Sequence, residues 1–226
     1  MADTLDFAET VRARRSARAF LPEPLTDQEL RAVLEDAQRS PSNSNSQPWR
    51  VHIVSGAKRE ELSGALLRAA GEGRASLDFT FDPKYDGNAD LMRNVKEQGY
   101  RYYETMGVDR DDYEARGRLV LRNYEFFGAP HVAFLFAPLI GDGVRVAADI
   151  GMYAQTFLLS LAAHGFGGVP QTALGLYADT VRESLGIPAE RKLLFGISFG
   201  RPDEAAAANS FRTSRMPLEE SVVLHS

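Results

Sequence analysis

VRVAADIGMYAQTFLLSLAAH, residues 144–164, decides how the rest of this chain is read. It is the longest helical candidate, and Gly165 follows it as a C-cap. Its apolar residues, from Val144 through Ile150 and Phe157 to Leu161, point in every direction, whereas a surface helix carries a single apolar stripe. Protein must therefore wrap it on nearly all sides. The centre of a monomer would do this. So would a subunit interface, where Gly151 and Ala154 let a neighbour approach closely. The pattern leaves both open.

Outward from this helix, Val132-Ala133-Phe134-Leu135-Phe136 reads as a buried strand, Val169 begins a short extended piece, and Leu193 to Phe199 is the last strong strand. Val51 and Ile53 alternate with Arg50 and His52 in another short strand. A helix is expected from Asp6 to Arg14. A second follows the capping box Thr26-Asp27-Gln28-Glu29, carries Leu30, Val33, Leu34 and Ala37 at helical spacing, and stops near Ser40-Pro41. Further helices are expected over Glu60–Ala70, 90–106, 112–127 and Asp179–Leu185, with loop over 76–90. The tail from Arg201 carries few signals until Val222-Val223-Leu224. Long helices with a few scattered strands indicate an α+β class, a sheet covered by helices. No repeat or low-complexity linker interrupts residues 1–226, which read as one domain.

Composition narrows the function. Twenty-six Lys and Arg against 31 Asp and Glu give a formal charge of −5, which argues against a broad cationic face for nucleic acid. The absence of cysteine rules out disulfides, thiol nucleophiles and thiolate metal sites. His52, His131, His164 and His225 are scattered without ligand spacing, so no metal site is expected. No apolar run is read as membrane-span length. Met1-Ala2-Asp3-Thr4 is polar and acidic, unlike a secretory signal, and a cytoplasmic protein is expected.

Several constellations carry chemistry. Arg12, Arg14, Arg15, Ser16 and Arg18 crowd one short stretch; guanidinium forks match phosphate oxygens, although a solvated helix C-terminus would also favour cations. Pro41-Ser42-Asn43-Ser44-Asn45-Ser46-Gln47-Pro48-Trp49 sets amides and hydroxyls between two prolines, as the edge of a heterocycle requires or as a self-bonded loop would show. Gly165-Phe166-Gly167-Gly168-Val169-Pro170-Gln171-Thr172-Ala173 permits close backbone approach, but Pro170 stands where a dinucleotide fingerprint needs glycine. Gly196-Ile197-Ser198-Phe199-Gly200 matches the pattern of a nucleophile elbow, yet Asp203 and His225 are badly placed as its partners, so hydrolysis is disfavoured. Residues 77–127 hold ten aromatics, which either wall a pocket for a flat molecule or pack helices together.

Taken together these motifs resemble the nitroreductase family of flavin enzymes over nearly the whole chain. Arg14-Arg15-Ser16-Ala17-Arg18-Ala19-Phe20 resembles its N-terminal flavin-phosphate motif, and Ser40 to Trp49 its second signature. Gly168 to Ala173 resembles the segment that passes beside the flavin, and Phe211-Arg212-Thr213-Ser214-Arg215-Met216-Pro217 the C-terminal phosphate element. The resemblance implies an α+β fold with a central, mainly antiparallel sheet, and an intertwined homodimer with one FMN per subunit at the interface. It implies ping-pong hydride transfer through flavin N5, from NADPH or NADH to a nitroaromatic, a quinone or a similar flat acceptor. Arg14, Arg15, Ser16, Arg18, Arg212 and Arg215 would hold phosphate, ribityl and pyrimidine. Pro170, Gln171, Thr172 and Ala173 would lie beside the ring, and Pro41, Ser42, Asn43 and Asn45 would reach the flavin of the other subunit. Residues 76–115 would form a helical and loop insertion near the substrate site. This chain departs from the pattern in carrying Thr172 where many members have an acidic residue and Thr213 where some have lysine; Arg18 or Arg122-Asn123 is the candidate for a lysine that some place near flavin N1 and O2. Reductive dehalogenation, desaturation and non-catalytic FMN binding are the alternatives within this resemblance.

Overall fold

A computed structural model describes residues 5–225, so the N-terminal stretch read as polar lies outside the described residues. The elements are α1 (Phe7–Ala13), α2 (Asp27–Ala37), β1 (Arg50–Ser55), α3 (Gly56–Gly71), α4 (Ala89–Thr105), α5 (Tyr113–Leu121), β2 (His131–Pro138), α6 (Val144–Ala163), β3 (Gly167–Gln171), α7 (Ala178–Leu185), β4 (Arg191–Gly200) and α8 (Leu218–Ser221). Capping boxes open both early helices: Asp6 with Glu9 on α1 and Thr26 with Glu29 on α2.

The four strands form one antiparallel sheet in the order β1-β2-β4-β3. β2 is an unbroken apolar run because both of its faces are covered. Ala133, Leu135 and Ala137 face α2 and α6 with Ile150, Phe157 and Leu161. Val132, Phe134 and Phe136 face α3 and α7 with Leu62, Leu66 and Val181. The alternation of strand side chains thus divides one run between two cores.

Three expectations are corrected. The helix read over 112–127 ends at Leu121, because Phe126 and Phe127 take left-handed backbone angles (φ 55° and 54°) that no α-helix passes through. Burial of both phenyl rings offsets that strain. The tail contains a 3-10 turn at Ala207–Asn209 and one short α-helical turn, α8, with Val223 and Leu224 exposed beyond it. Thirdly, α6 is long and apolar enough to cross a membrane by length and composition alone, although half of its apolar stretch is buried within the fold. Nor is α6 wrapped on all sides within one chain: Val144, Ala148, Gly151 and Met152 form an exposed stripe opposite Ile150, Phe157 and Leu161.

His131 illustrates how one end of the inner strand β2 is fixed. Its Nε2 accepts from the Leu25 N–H at 2.9 Å, which leaves the hydrogen on Nδ1 to donate to Ser55 Oγ at 2.5 Å. Burial lowers its pKa below the ordinary 6.5. Burial, then Arg191, lowers His52 in the same direction. Because the unfolded chain takes up these protons more readily, their contribution is complete above pH 6.5 and is lost as pH falls below it. Urea unfolding at pH 7.5 and 5.5 should show lower stability at pH 5.5, with a smaller loss in His131→Gln. Equal losses in both proteins would contradict the assignment.

Candidate functional site

The N-terminal arginines are placed by a strand-like contact. α1 ends at Ala13, and the chain then runs extended so that Ser16 bridges Gly168 and the Ala17 N–H donates to the Gly168 carbonyl at 3.3 Å. A Cβ at Gly167 would come within 2.9 Å of Ala17 Cβ, so glycine is what permits this approach. The C-terminal segment returns to the same place through Asn209, a residue the sequence reading missed. Asn209 Oδ1 accepts from the Arg18 N–H at 2.7 Å, while Nδ2 donates to the carbonyls of Ala19 (2.8 Å) and Asp203 (2.9 Å). Its only sequence signal is a polar residue in a small-residue tail.

A cavity of about 310 Å³ results, lined by Arg12, Arg14, Arg15, Ser16 and Arg18 from one end of the chain and by Phe211, Arg212, Thr213 and Arg215 from the other. Burial lowers the Arg14 pKa, and the nearby charge of Arg215 lowers it further. Burial also lowers Arg18, whose guanidinium lies 5.3 Å from the ring centres of both Tyr102 and Phe211. Arg15 pairs with Glu204, yet its Nε is buried without a hydrogen-bond partner. Arg212 spends Nη1 on the carbonyls of Asn209 and Phe211, so that part of its guanidinium braces the tail. Arg215 Nη1 likewise donates to Thr213 Oγ1 and the Ser214 carbonyl. Mutually repelling guanidiniums around an open cavity, one with an orphaned donor, fit a multiply charged oxyanion such as a phosphate monoester.

From Gly168, β3 runs away from the arginines to Pro170, Gln171, Thr172 and Ala173. Pro170 and Thr172 are exposed. Gln171 is not: its Nε2 donates to the Asn123 carbonyl (2.9 Å) and Oδ1 (3.2 Å), and its Oε1 accepts from Ser198 Oγ. Its side chain serves the core, so any contact with a flat ligand falls to its main chain. Arg122, the other flagged position, donates to the Arg18 carbonyl at 3.0 Å and stands behind the arginine cluster.

Pro41, Ser42, Asn43 and Asn45 are not brought to this cavity. Their loop is a tight turn with Ser44, Asn45 and Gln47 at positive φ. Ser42 Oγ accepts from the Gln47 N–H at 2.9 Å, and Asp149 Oδ1 on α6 accepts from the Asn43 N–H at 3.1 Å. Asp149 was hidden to sequence reading inside an apolar helix. The arginine side of the molecule instead meets α6 at Leu158 and Ala162. Asp149 and Ala162 are 13 positions apart, about 20 Å at 1.5 Å per residue.

The G-x-S-x-G stretch has a packing explanation. A Cβ at Gly196 would fall 2.5 Å from Leu174 Cδ1, and one at Gly200 would fall 2.6 Å from Pro130 Cδ. Ser198 lies fully buried within β4. Ser198→Ala should cost about 1–3 kcal/mol by stranding Gln171 Oε1, measured by urea unfolding, with no change in any esterase background. Loss of an esterase activity would reinstate the elbow.

Among the described residues, no cluster of three or more His, Asp or Glu could hold a metal ion. The nitroreductase family profile matches residues 11–201, a span that contains the arginine motif, the 41–49 loop and β3. The chain belongs to the nitroreductase family. This nitroreductase is 43% identical to nitroreductase NfnB of Mycolicibacterium smegmatis, over 96% of this chain and 94% of that protein. It is 32% identical to a 4-nitrobenzoate reductase of Pseudomonas putida, over 94% and 92% of the two chains. Among solved structures, it resembles the FMN-dependent nitroreductase NfnB from Mycobacterium smegmatis in complex with NADPH (TM-score 0.91, 41% identity, 98% of this chain and 100% of that one). It also resembles an FMN- and NADPH-dependent NfnB from Sphigopyxis sp. strain HMH (TM-score 0.93, 31% identity, 98% and 100%).

Proposed function

We propose that this nitroreductase binds FMN and uses NADPH to reduce nitroaromatic compounds. The observation that carries the reading is the arginine cavity joined by the Ser16–Gly168 contact to the exposed edge at Pro170 and Thr172. The arginines would hold the phosphate of such a cofactor, and the exposed edge of β3 is the neighbouring surface that would meet its ring. Bound FMN supplies the hydride transfer from NADPH to the acceptor. The protein binds and orients. Arg14, Arg15, Ser16, Arg18 and Arg215 hold phosphate and ribityl oxygens, with Arg212 bracing the tail. The main chain of Gln171, Thr172 and Ala173 meets the ring edge, and Arg18, backed by Arg122, places positive charge near the pyrimidine. Solvent water suffices to protonate the product. NADH and quinones remain compatible with the same geometry.

The family setting and the single-chain geometry support a homodimer. Pro41, Ser42, Asn43 and Asn45 stand about 20 Å along α6 from the arginines of their own chain, so a second copy would supply them to each flavin. The exposed stripe of Val144, Ala148, Gly151 and Met152 supplies an apolar, close-packing surface for that contact. Residues 76–115 then flank the acceptor side of the flavin. A chain without cysteine suits a reducing, cytoplasmic setting.

An absorbance spectrum of purified protein tests this directly. Flavin bands should bleach on anaerobic NADPH and return on adding 4-nitrobenzoate. A colourless chain that takes up no FMN in titration would overturn the reading.

A further inference from the structure

Beyond Thr172 lies a second cavity of about 280 Å³, walled by Leu77, Phe79 and Phe81 on one side and Leu194 and Phe195 on the other. Its two walls come from distant segments, and one carboxylate ties them together. Asp78, 5% exposed in its side chain, pairs with Arg182 of α7, whose side chain is 8% exposed. Asp78 Oδ2 also accepts from the Leu193 N–H at 2.7 Å, and Lys192 Nζ lies 3.5 Å from Oδ1. Two residues before Asp78, Ser76 is pinned as well: its N–H donates to the Leu176 carbonyl at 2.8 Å and its Oγ accepts from the Asp179 N–H at 3.0 Å. The chain bends at Asp78 and Phe79, with Ser76 and Asp78 held by these anchors while Leu77, Phe79, Thr80 and Phe81 line the cavity.

We infer that this cavity receives an apolar ring substituent of the aromatic acceptor, and that Asp78 is a positioning residue that fixes its two walls. The inference rests on the proposed flavin site, because Thr172 borders both. A substituent para to the nitro group would seat between Phe81 and Phe195 while the nitro group stays at the flavin. A buried carboxylate opposing a buried guanidinium is costly unless its geometry is kept, and here it is kept by donors from α7 and β4 together. Phe81 is 44% exposed and so is not itself a core residue.

The test compares FMN-loaded wild type, Phe81→Ala and Asp78→Asn with nitrobenzene and 4-isopropylnitrobenzene. Phe81→Ala should raise KM for the isopropyl compound about tenfold, the usual worth of a lost apolar contact in a pocket, with little change for nitrobenzene. The rate at which NADPH reduces the flavin, followed by stopped flow, should stay at the wild-type value. Asp78→Asn should lose the same discrimination, and Asp78→Glu should restore part of it. Unchanged discrimination in Phe81→Ala, or flavin reduction slowed as much as acceptor turnover, would overturn the inference. Phe81→Ala gives this readout whether or not Asp78→Asn folds. Protein that takes up no FMN fails the proposed function instead, and calorimetry of 4-isopropylnitrobenzene with wild type and Phe81→Ala still reads the cavity.

Discussion

Arg14→Ala and Arg215→Ala are expected to purify largely colourless, with FMN affinity lowered at least about tenfold in each. A charge-assisted hydrogen bond contributes about 1.5–3 kcal/mol, and each 1.4 kcal/mol is a factor of about ten in Kd. Burial, and then the neighbouring charge of Arg215, lowers the Arg14 pKa, so the two guanidiniums repel across the cavity. A dianionic phosphate between them turns that repulsion into attraction. The same argument gives a second sign: removing either arginine should leave the melting temperature of FMN-stripped protein unchanged or slightly higher, while the rise on adding FMN shrinks. Fluorescence titration of FMN and thermal melts with and without it read both signs. Full occupancy in both variants, or apoprotein that melts much lower, would remove the arginine cavity from the account.

Gly196→Val carries the largest expected effect on stability. Gly196 sits in β4 opposite Phe134 on one side and Gln171 on the other. An added Cβ would lie 2.5 Å from Leu174 Cδ1 and 3.3 Å from the Ala133 carbonyl oxygen. Leu174 is fully buried, so moving its side chain aside displaces other core residues. Overpacking of this kind costs about 3 kcal/mol at the upper end of its usual range, or about 6–12 °C in Tm for a chain this size. Gly117→Ala on α5 is the control: nothing lies within 4 Å of its added Cβ, and alanine should stabilise the helix by up to about 1 kcal/mol. Differential scanning calorimetry of both variants separates the two, and a Gly196→Val protein that melts like wild type would mean that Leu174 relaxes freely.

Much of the local structure is legible in single residues. Thr26 and Glu29 close a capping box that any reader of the sequence can find, and α2 begins there. The apolar runs at β2 and β4 appear as strands at their predicted places. Legibility fails where long-range burial decides. Phe126 and Phe127 end a helical pattern because a buried core accepts their rings in left-handed backbone, and no local periodicity encodes that reward. Asp149 inside α6 and Asp78 inside an acidic loop look alike in sequence to many solvent carboxylates. Their meaning comes from the Asn43 N–H and from Arg182 and Leu193, residues far along the chain.

Read alone, the residue order determined most of the helices and strands and the family that the motifs together resemble, because hydrogen bonding within an element and side-chain periodicity are local properties. The tertiary structure decided three further things. Arg18 and Asn209, 191 positions apart, are hydrogen-bonded, which brings the C-terminal segment to the arginine cavity; the 41–45 loop stands at the far end of α6 from it; and Gln171, a surface residue by composition, turns its amide inward. Each depends on which distant surfaces pack to exclude water, a property of the whole chain that no stretch of it contains.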